Sequence, residues 1–361
     1  MTKKLFLMIA FLAGWQALAE PEAQNAKNPS PEQLQALLKQ YPAADANRDG
    51  ILTLEEAKAY RKQMMAKRRP ADASAALAPT HANLKYGPYD QNVMDLWLTP
   101  SNRPSPLVVF IHGGGFVGGD KSGIHPQTVT ACLASGVAYA SINYRFRAQA
   151  PIQDILRDAA RAVQFLRFHA SEYGIDPQRV ACYGGSAGAG TSLWLATRDD
   201  LAEPKSDDPV LRQSTRISAA ACLNGQATYD LTQWDHLIGP FRAEWKTDPD
   251  EDAKFYHFNS QADLQSEAAK RVLAECDMLH WISKDDPPLF MSCSMPDGEP
   301  ENRGQYVHHP RHAKAVKARC DQVGEPCEIA LSSGGGEDAA VRFLLKRLVE
   351  KPSLTAATAA K

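Results

Sequence analysis

Downstream of Lys85, short apolar runs alternate with stretches whose apolar residues recur at helical spacing. Residues 93–98, 107–111, 137–142, 179–183, 217–223, 289–293 and 328–331 read as strands. Helical patterns lie between them: 151–173, with Ile155, Ala159, Val163 and Leu166 at core spacing, then 186–198, 310–323 and 338–348. Brief apolar strands separated by amphipathic helices hide both faces of a sheet. The pattern therefore predicts an α/β fold with a mostly parallel central sheet flanked by helices. Residues 224–286 break the alternation. They hold Trp234, Phe241, Trp245, Phe255, Tyr256, Phe258 and Trp281 among many charges and no strand pattern, which suggests a cap insert. Its aromatics either pack the cap on the body or, as a set, line a substrate-facing wall. The acidic stretch 248–252 around Pro249 reads as a solvated loop.

Upstream of the alternating region the pattern changes twice. Lys3 and Lys4 precede an apolar segment over 5–15, followed by Ala17-Leu18-Ala19. These are the three parts of a signal peptide over 1–19, so export to a bacterial periplasm or cell envelope is expected. An uncleaved anchor is the competing reading, although the segment is short for a membrane span. Residues 30–69 then read as a helix–loop–helix. Ser30, Pro31 and Gln33 mark a helix start, Leu34, Leu37, Leu38 and Tyr41 share a face, and Ala57, Tyr60, Met64 and Met65 form a second face. Between them Asp45, Asn47, Asp49, Ile51 (through its carbonyl), Thr53 and Glu56 occupy the ligand positions of a twelve-residue calcium loop, with Gly50 at its sharp turn. A hard cation wants such a set of oxygens. The stretch resembles an EF-hand and implies a structural Ca2+; an Asp/Asn-rich turn without a dedicated ion is the alternative. A lone helix–loop–helix has little core, so packing on the main body or pairing with a second copy is expected. Residues 70–84 read as a linker, 85–350 as the main domain and 351–361 as a tail.

The 361 residues carry 40 basic and 42 acidic side chains with no long basic run, which argues against a nucleic-acid partner. Seven cysteines in an exported chain leave at least one outside any intramolecular disulfide. Cys182, Cys222 and Cys293 fall on strands and read as buried small residues, while Cys320 and Cys327 stand close enough in sequence to bridge a short loop.

The chemistry lies in two glycine-rich segments. Gly184-Gly185-Ser186-Ala187-Gly188 follows the apolar run that ends at Tyr183, and His112-Gly113-Gly114-Gly115 follows the run that ends at Ile111. Ester hydrolysis needs a nucleophile, donors for the developing oxyanion and a base. Ser186 on a tight strand-to-helix turn is the nucleophile candidate, and the amides of Gly113, Gly114 and Ala187 are the oxyanion candidates. Together they describe an α/β-hydrolase fold. With Asn143-Tyr144-Arg145, the turn from Glu172 to Pro177 and Asp286-Pro287-Pro288, the chain resembles the hormone-sensitive-lipase-like branch of that superfamily, bacterial carboxylesterases and acetyl-esterases, over 85–348.

That resemblance implies a triad acid shortly after the double proline, where Asp297 stands; Asp277, Asp285 and Glu299 are weaker candidates. It also implies a histidine after the last strand. There the chain has Gly334-Gly335-Gly336 followed by Glu337 and Asp338, and no histidine follows His312. A carboxylate near its ordinary pKa is a poor base for a serine hydroxyl. Three readings stay open: His308 or His309 reaches Ser186 from another direction, Glu337 supports slow or altered hydrolysis, or the domain is a silent pocket for a hydrophobic ligand or a calcium-dependent interaction module. Asp120, Arg145 and Asp158 read as framework partners. The scattered His169, His257 and His280 do not suggest a catalytic metal, and no organic cofactor is implied. The expected function is a serine esterase for small or medium carboxylic esters, without stable membrane insertion after leader cleavage.

Overall fold

The computed structural model describes residues 34–35, 38, 41–57, 59–60, 77–332 and 335–349. The leader, the C-terminal tail, residues 70–76 of the expected linker, the expected helix start at Ser30, Pro31 and Gln33, and Leu37, Met64 and Met65 lie outside them. The chain divides into two units, Met1–Ala78 and Pro79–Lys361. In the first, Leu34, Gln35, Leu38 and residues 54–57 are helical. Ala44, Leu52 and Ala57 form a small buried cluster against Leu34, Leu38, Tyr41 and Tyr60.

The second unit opens with an edge strand, β1 (His81–Lys85), whose first four residues fall in the stretch that reads as linker. Its burial is partial and irregular, so it carries no clean two-residue period to betray it. There follow β2 (Val93–Trp97), β3 (Ser105–Ile111), α1 (Pro126–Ala134), β4 (Ala138–Ile142), α2 (Ile152–Phe168), α3 (Ala170–Tyr173), β5 (Ile175–Gly185), α4 (Ala187–Thr197) and β6 (Ala219–Leu223). The insert holds α5 (Trp234–Ile238), α6 (Glu251–Phe255), α7 (Glu267–Cys276) and α8 (Met278–Trp281) and no strand. The chain closes with β7 (Leu289–Cys293), α9 (Arg303–Val307), α10 (Pro310–Val323), β8 (Cys327–Leu331) and α11 (Glu337–Val349). The eight strands form one sheet in the order β1-β2-β4-β3-β5-β6-β7-β8. Only β1–β2 and β2–β4 pair antiparallel; the remaining pairs are parallel.

Every residue of β3, β4 and β7 is buried, because helices cover both faces of a parallel sheet. After β4, Arg145 holds Asp158 with two 2.8 Å bonds from Nε and Nη2, and Asn143 donates to Asp120 at 2.9 Å. Asp120, Arg145 and Asp158 are thus hydrogen-bond and ion-pair partners, and both pairs tie the residues after β4 to their surroundings. The acidic stretch 248–252 differs from expectation: Asp248 accepts from the Asp250 amide at 2.8 Å and leads into α6. Acidic side chains suit a helix N-terminus, whose exposed amides carry partial positive charge. All seven cysteines are buried free thiols. Cys320 and Cys327 do influence each other's thiol, but both are free rather than bridged.

Candidate active site

Strand β5 turns into α4 at Ser186, whose φ of 52° and ψ of −118° are a strained conformation for a residue with a side chain. The turn is tight because β3 lies directly beneath it. A Cβ on Gly184 would come within 2.2 Å of the Ile111 carbonyl oxygen, and one on Gly188 within 1.9 Å. The Ser186 amide donates to Leu223 O at 2.9 Å and its carbonyl accepts from Gly190 N at 3.1 Å, so the backbone of the turn is satisfied by its neighbours. Ser186 is half-buried.

Its partner is His308. Ser186 Oγ lies 2.7 Å from His308 Nε2. On the other side of the ring, Nδ1 lies 2.9 Å from the Gly304 carbonyl oxygen. A carbonyl can only accept, so Nδ1 carries a proton, and in the neutral form of such a ring it is Nε2 that presents its lone pair to the serine hydroxyl. The Gly304 carbonyl also accepts the His308 backbone amide at 3.1 Å, and Cys293 Sγ donates to the His308 carbonyl at 3.0 Å. Of the two adjacent histidines, His309 is placed differently. It is buried, caps α10 by accepting the Arg311 amide at 3.1 Å, and sets Nε2 against Gly298 O at 2.7 Å.

The carboxylates named from the sequence go elsewhere. Glu337 begins α11 and does not reach Ser186. Its Oε1 accepts from Thr128 Oγ1 at 2.7 Å and Tyr183 OH at 2.9 Å, and its Oε2 lies 3.2 Å from His125 Nε2. The side chain at the first residue of α11 is held by donors on α1 and β5. Asp297 pairs with Lys314 Nζ, which with the added hydrogen bond holds its carboxyl below the usual range, and it does not stand behind His308. Among the weaker candidates, Glu299 pairs with Arg311 at 3.1 Å, Asp277 accepts from Gln233 at 2.7 Å and Asp285 from Ser283 at 2.7 Å. The acceptor behind the ring, Gly304, carries no side-chain signal and could not be picked from sequence.

Opposite the elbow, the glycine loop runs close to the serine: a Cβ on Gly113 would lie 3.5 Å from that of Ser186 and 2.8 Å from Gly185 O. Gly114 needs its φ of 113° and packs on Gly118, whose carbonyl a Cβ would approach to 2.2 Å. His112 braces this loop. Its Nδ1 lies 2.7 Å from Gly113 O, its ring stacks on Tyr144 at 4.3 Å, and burial lowers its pKa, so it sits there uncharged. Across the turn, Ala187 opens α4, so its amide has no intrahelical acceptor.

In the first unit, the loop with the calcium-ligand pattern closes on itself. Asp45 accepts from the Gly50 amide at 2.8 Å and the Asp49 amide at 3.3 Å. Asn47 Oδ1 accepts from the Asp49 amide at 2.9 Å, and Asp49 from the Ile51 amide at 2.8 Å. Glu56 takes the Thr53 hydroxyl at 2.6 Å and the Ala46 amide at 3.2 Å, and these bonds lower its pKa. Gly50 has the expected positive φ, 82°. The all-oxygen donor set fits a hard cation, but among the described residues no three acidic, histidine or cysteine side chains converge as a metal-holding group.

Residues 94–299 match the BD-FAE family model. Curated relatives include a probable isoprenylcysteine alpha-carbonyl methylesterase of Arabidopsis thaliana, 28% identical over 196 residues that are 53% of this chain and 40% of the relative. A probable carboxylic ester hydrolase of Mycobacterium tuberculosis, LipM, is 29% identical over 190 residues, 48% of this chain and 43% of its own length. The chain thus spans less than half the length of these relatives. Among solved structures, an acetyl ester-xyloside bifunctional hydrolase from Caldicellulosiruptor lactoaceticus superposes with a TM-score of 0.55 at 18% identity, covering 75% of this chain and 96% of that one. A truncated carbohydrate esterase from gut microbiota gives 0.57 at 17% identity with the same coverage, 75% and 96%. At these identities the structures establish a shared α/β-hydrolase fold. With its model matched over more than half of the 361 residues, the chain belongs to the BD-FAE family.

Proposed function

We propose that the protein hydrolyses small or medium carboxylic esters through a Ser186 acyl-enzyme, with His308 as the base. The 2.7 Å contact between Ser186 Oγ and His308 Nε2 carries this reading. Nε2 takes the hydroxyl proton as Oγ adds to the ester carbonyl, then returns it to the departing alcohol oxygen. Water repeats the sequence to release the acid and free Ser186. The amides of Gly113, Gly114 and Ala187 hold the oxyanion, each such donor being worth about 3–4 kcal/mol in the transition state. An orienting group behind a catalytic imidazole fixes its tautomer and steadies the imidazolium. The Gly304 carbonyl does the first as well as a carboxylate; with only a partial charge, it does less of the second.

A fluorophosphonate probe tests the nucleophile. It is expected to label the wild type and not Ser186→Ala, together with turnover of an acetate ester by the wild type alone. A wild type that binds hydrophobic esters without labelling or turnover is instead the silent pocket.

For the amino-terminal unit we propose a structural Ca2+ held by Asp45, Asn47, Asp49, Thr53, Glu56 and the Ile51 carbonyl, with the chain exported through its leader. The oxygen-only ligand pattern and the positive φ of Gly50 support the ion. At free calcium about 100 times the dissociation constant, binding adds about 2.7 kcal/mol to the stability of this unit. Its melting is therefore expected to rise with calcium in the wild type and not in Asp45→Ala. Equal melting in calcium and chelator removes the proposal.

A further inference from the structure

The base sits at the end of a helix too short to hold itself. Helix α9 is five residues long, less than two turns, and isolated helices of that length do not persist in water. His308 is its C-terminal cap. Among the described residues, the insert supplies most of the side-chain anchoring of this helix. Tyr306 is 1% exposed, and its hydroxyl stands 3.1 Å from both Asp235 Oδ1 and the Gly239 carbonyl. Three insert rings surround it, Phe241 at 4.9 Å, Trp245 at 5.9 Å and Trp234 at 6.1 Å between centroids. At the other end of α9, Arg303 Nη1 reaches both oxygens of Glu251 at 3.0 and 2.8 Å and the Trp245 carbonyl at 3.0 Å. The side chain of Glu251 is 9% exposed, and Arg303 leads the influences that hold its carboxyl ionised against burial. Gln226, at the insert's start, adds a bond to the Val307 carbonyl at 3.0 Å. From the sheet itself α9 and its cap receive the Cys293 thiol.

We propose that the insert is the mount of the catalytic base, with Tyr306 and the Arg303–Glu251 pair as positioning residues that set His308 Nε2 against Ser186 Oγ. The proposal rests on His308 being the base. In this arrangement the cap and the base move as one body, so a displacement of the cap carries Nε2 off the serine. A misplacement of about 1 Å at a reacting atom costs on the order of 100-fold in rate.

The test measures kcat and KM for a small acetate ester, too short to span the insert, in Tyr306→Phe and Glu251→Gln, each made in the wild type and in His308→Ala. In the wild-type background kcat is expected to fall about 10–100-fold with KM nearly unchanged, and Glu251→Asp, which keeps the charge, restores part of the loss. In the His308→Ala background the same changes are expected to cost nothing further, because residues that act through one group are not additive with its removal. Equal losses in both backgrounds indicate damage to the fold and overturn the proposal. So does a rise in KM at unchanged kcat, which makes the insert a substrate wall. If His308→Ala itself keeps wild-type kcat, the base assignment fails first, and that outcome is distinct from a His308-dependent enzyme indifferent to Tyr306 and Glu251.

Discussion

His308→Ala is expected to lower kcat for an acetate ester by about 10⁴–10⁶-fold, to the level of Ser186→Ala, with the double variant no worse than either alone. The nucleophile and its base act as a unit: without Nε2 the hydroxyl proton has no acceptor, and without Oγ the ring has nothing to deprotonate. What remains is the acceleration over water that oxyanion donors and binding supply, about 10³–10⁴-fold. The same experiment has a second arm at the position where related chains are expected to carry histidine. Glu337→His should not raise turnover, because that side chain begins α11 and points to Thr128 and Tyr183. It should instead cost stability, about 1–3 kcal/mol, since Thr128 and Tyr183 lose their acceptor in a partly buried site. A sharp gain from Glu337→His, paired with an indifferent His308→Ala, would reverse the assignment and return the base to the last loop.

How far the sequence discloses this arrangement depends on whether a function resides in side chains or in chain path. The strands were readable because a doubly covered sheet needs continuous apolar runs, and Leu289–Cys293 coincides with the expectation. The elbow and the glycine loop opposite it were readable because close backbone approach admits only glycine. Strand β1 was not, since an edge strand with three of its five residues exposed has little apolar signal. The base stayed ambiguous for a different reason. His308 and His309 are neighbours in sequence and carry the same side chain, and only the turn from α9 into α10 separates a ring that caps a helix from one that meets the serine. The orienting carbonyl of Gly304 is backbone, invisible to any residue pattern. In sequence the insert's aromatics read as packing or as a substrate wall; that three of them enclose Tyr306 depends on a fold-back over more than sixty residues that no local periodicity encodes.

The largest effect expected on stability falls on a position with no side chain at all. In Gly188→Ala the new methyl carbon would lie 1.9 Å from the Ile111 carbonyl oxygen and 2.8 Å from that of His112, both backbone atoms. Neither can swing aside as a flexible side chain would. Ile111 pairs across β3 with Ile142 and Gly184, so moving it disturbs two parallel ladders at once. Overpacking of this kind costs about 3 kcal/mol or somewhat more, a fall in Tm of roughly 6–12 °C for a domain of this size. The chemistry suffers with the fold, because β3 runs directly into His112 and Gly113 while Gly188 follows the nucleophile by two residues. A relief of the clash must therefore separate the proposed oxyanion donors from Ser186, and kcat should drop about 100-fold for a shift of about 1 Å. Gly298→Ala is the matched comparison, since a Cβ there meets nothing within 4 Å. Thermal melting and acetate-ester turnover of the two variants decide the matter: a Gly188→Ala protein that melts and reacts like Gly298→Ala would mean that β3 does not press on the elbow.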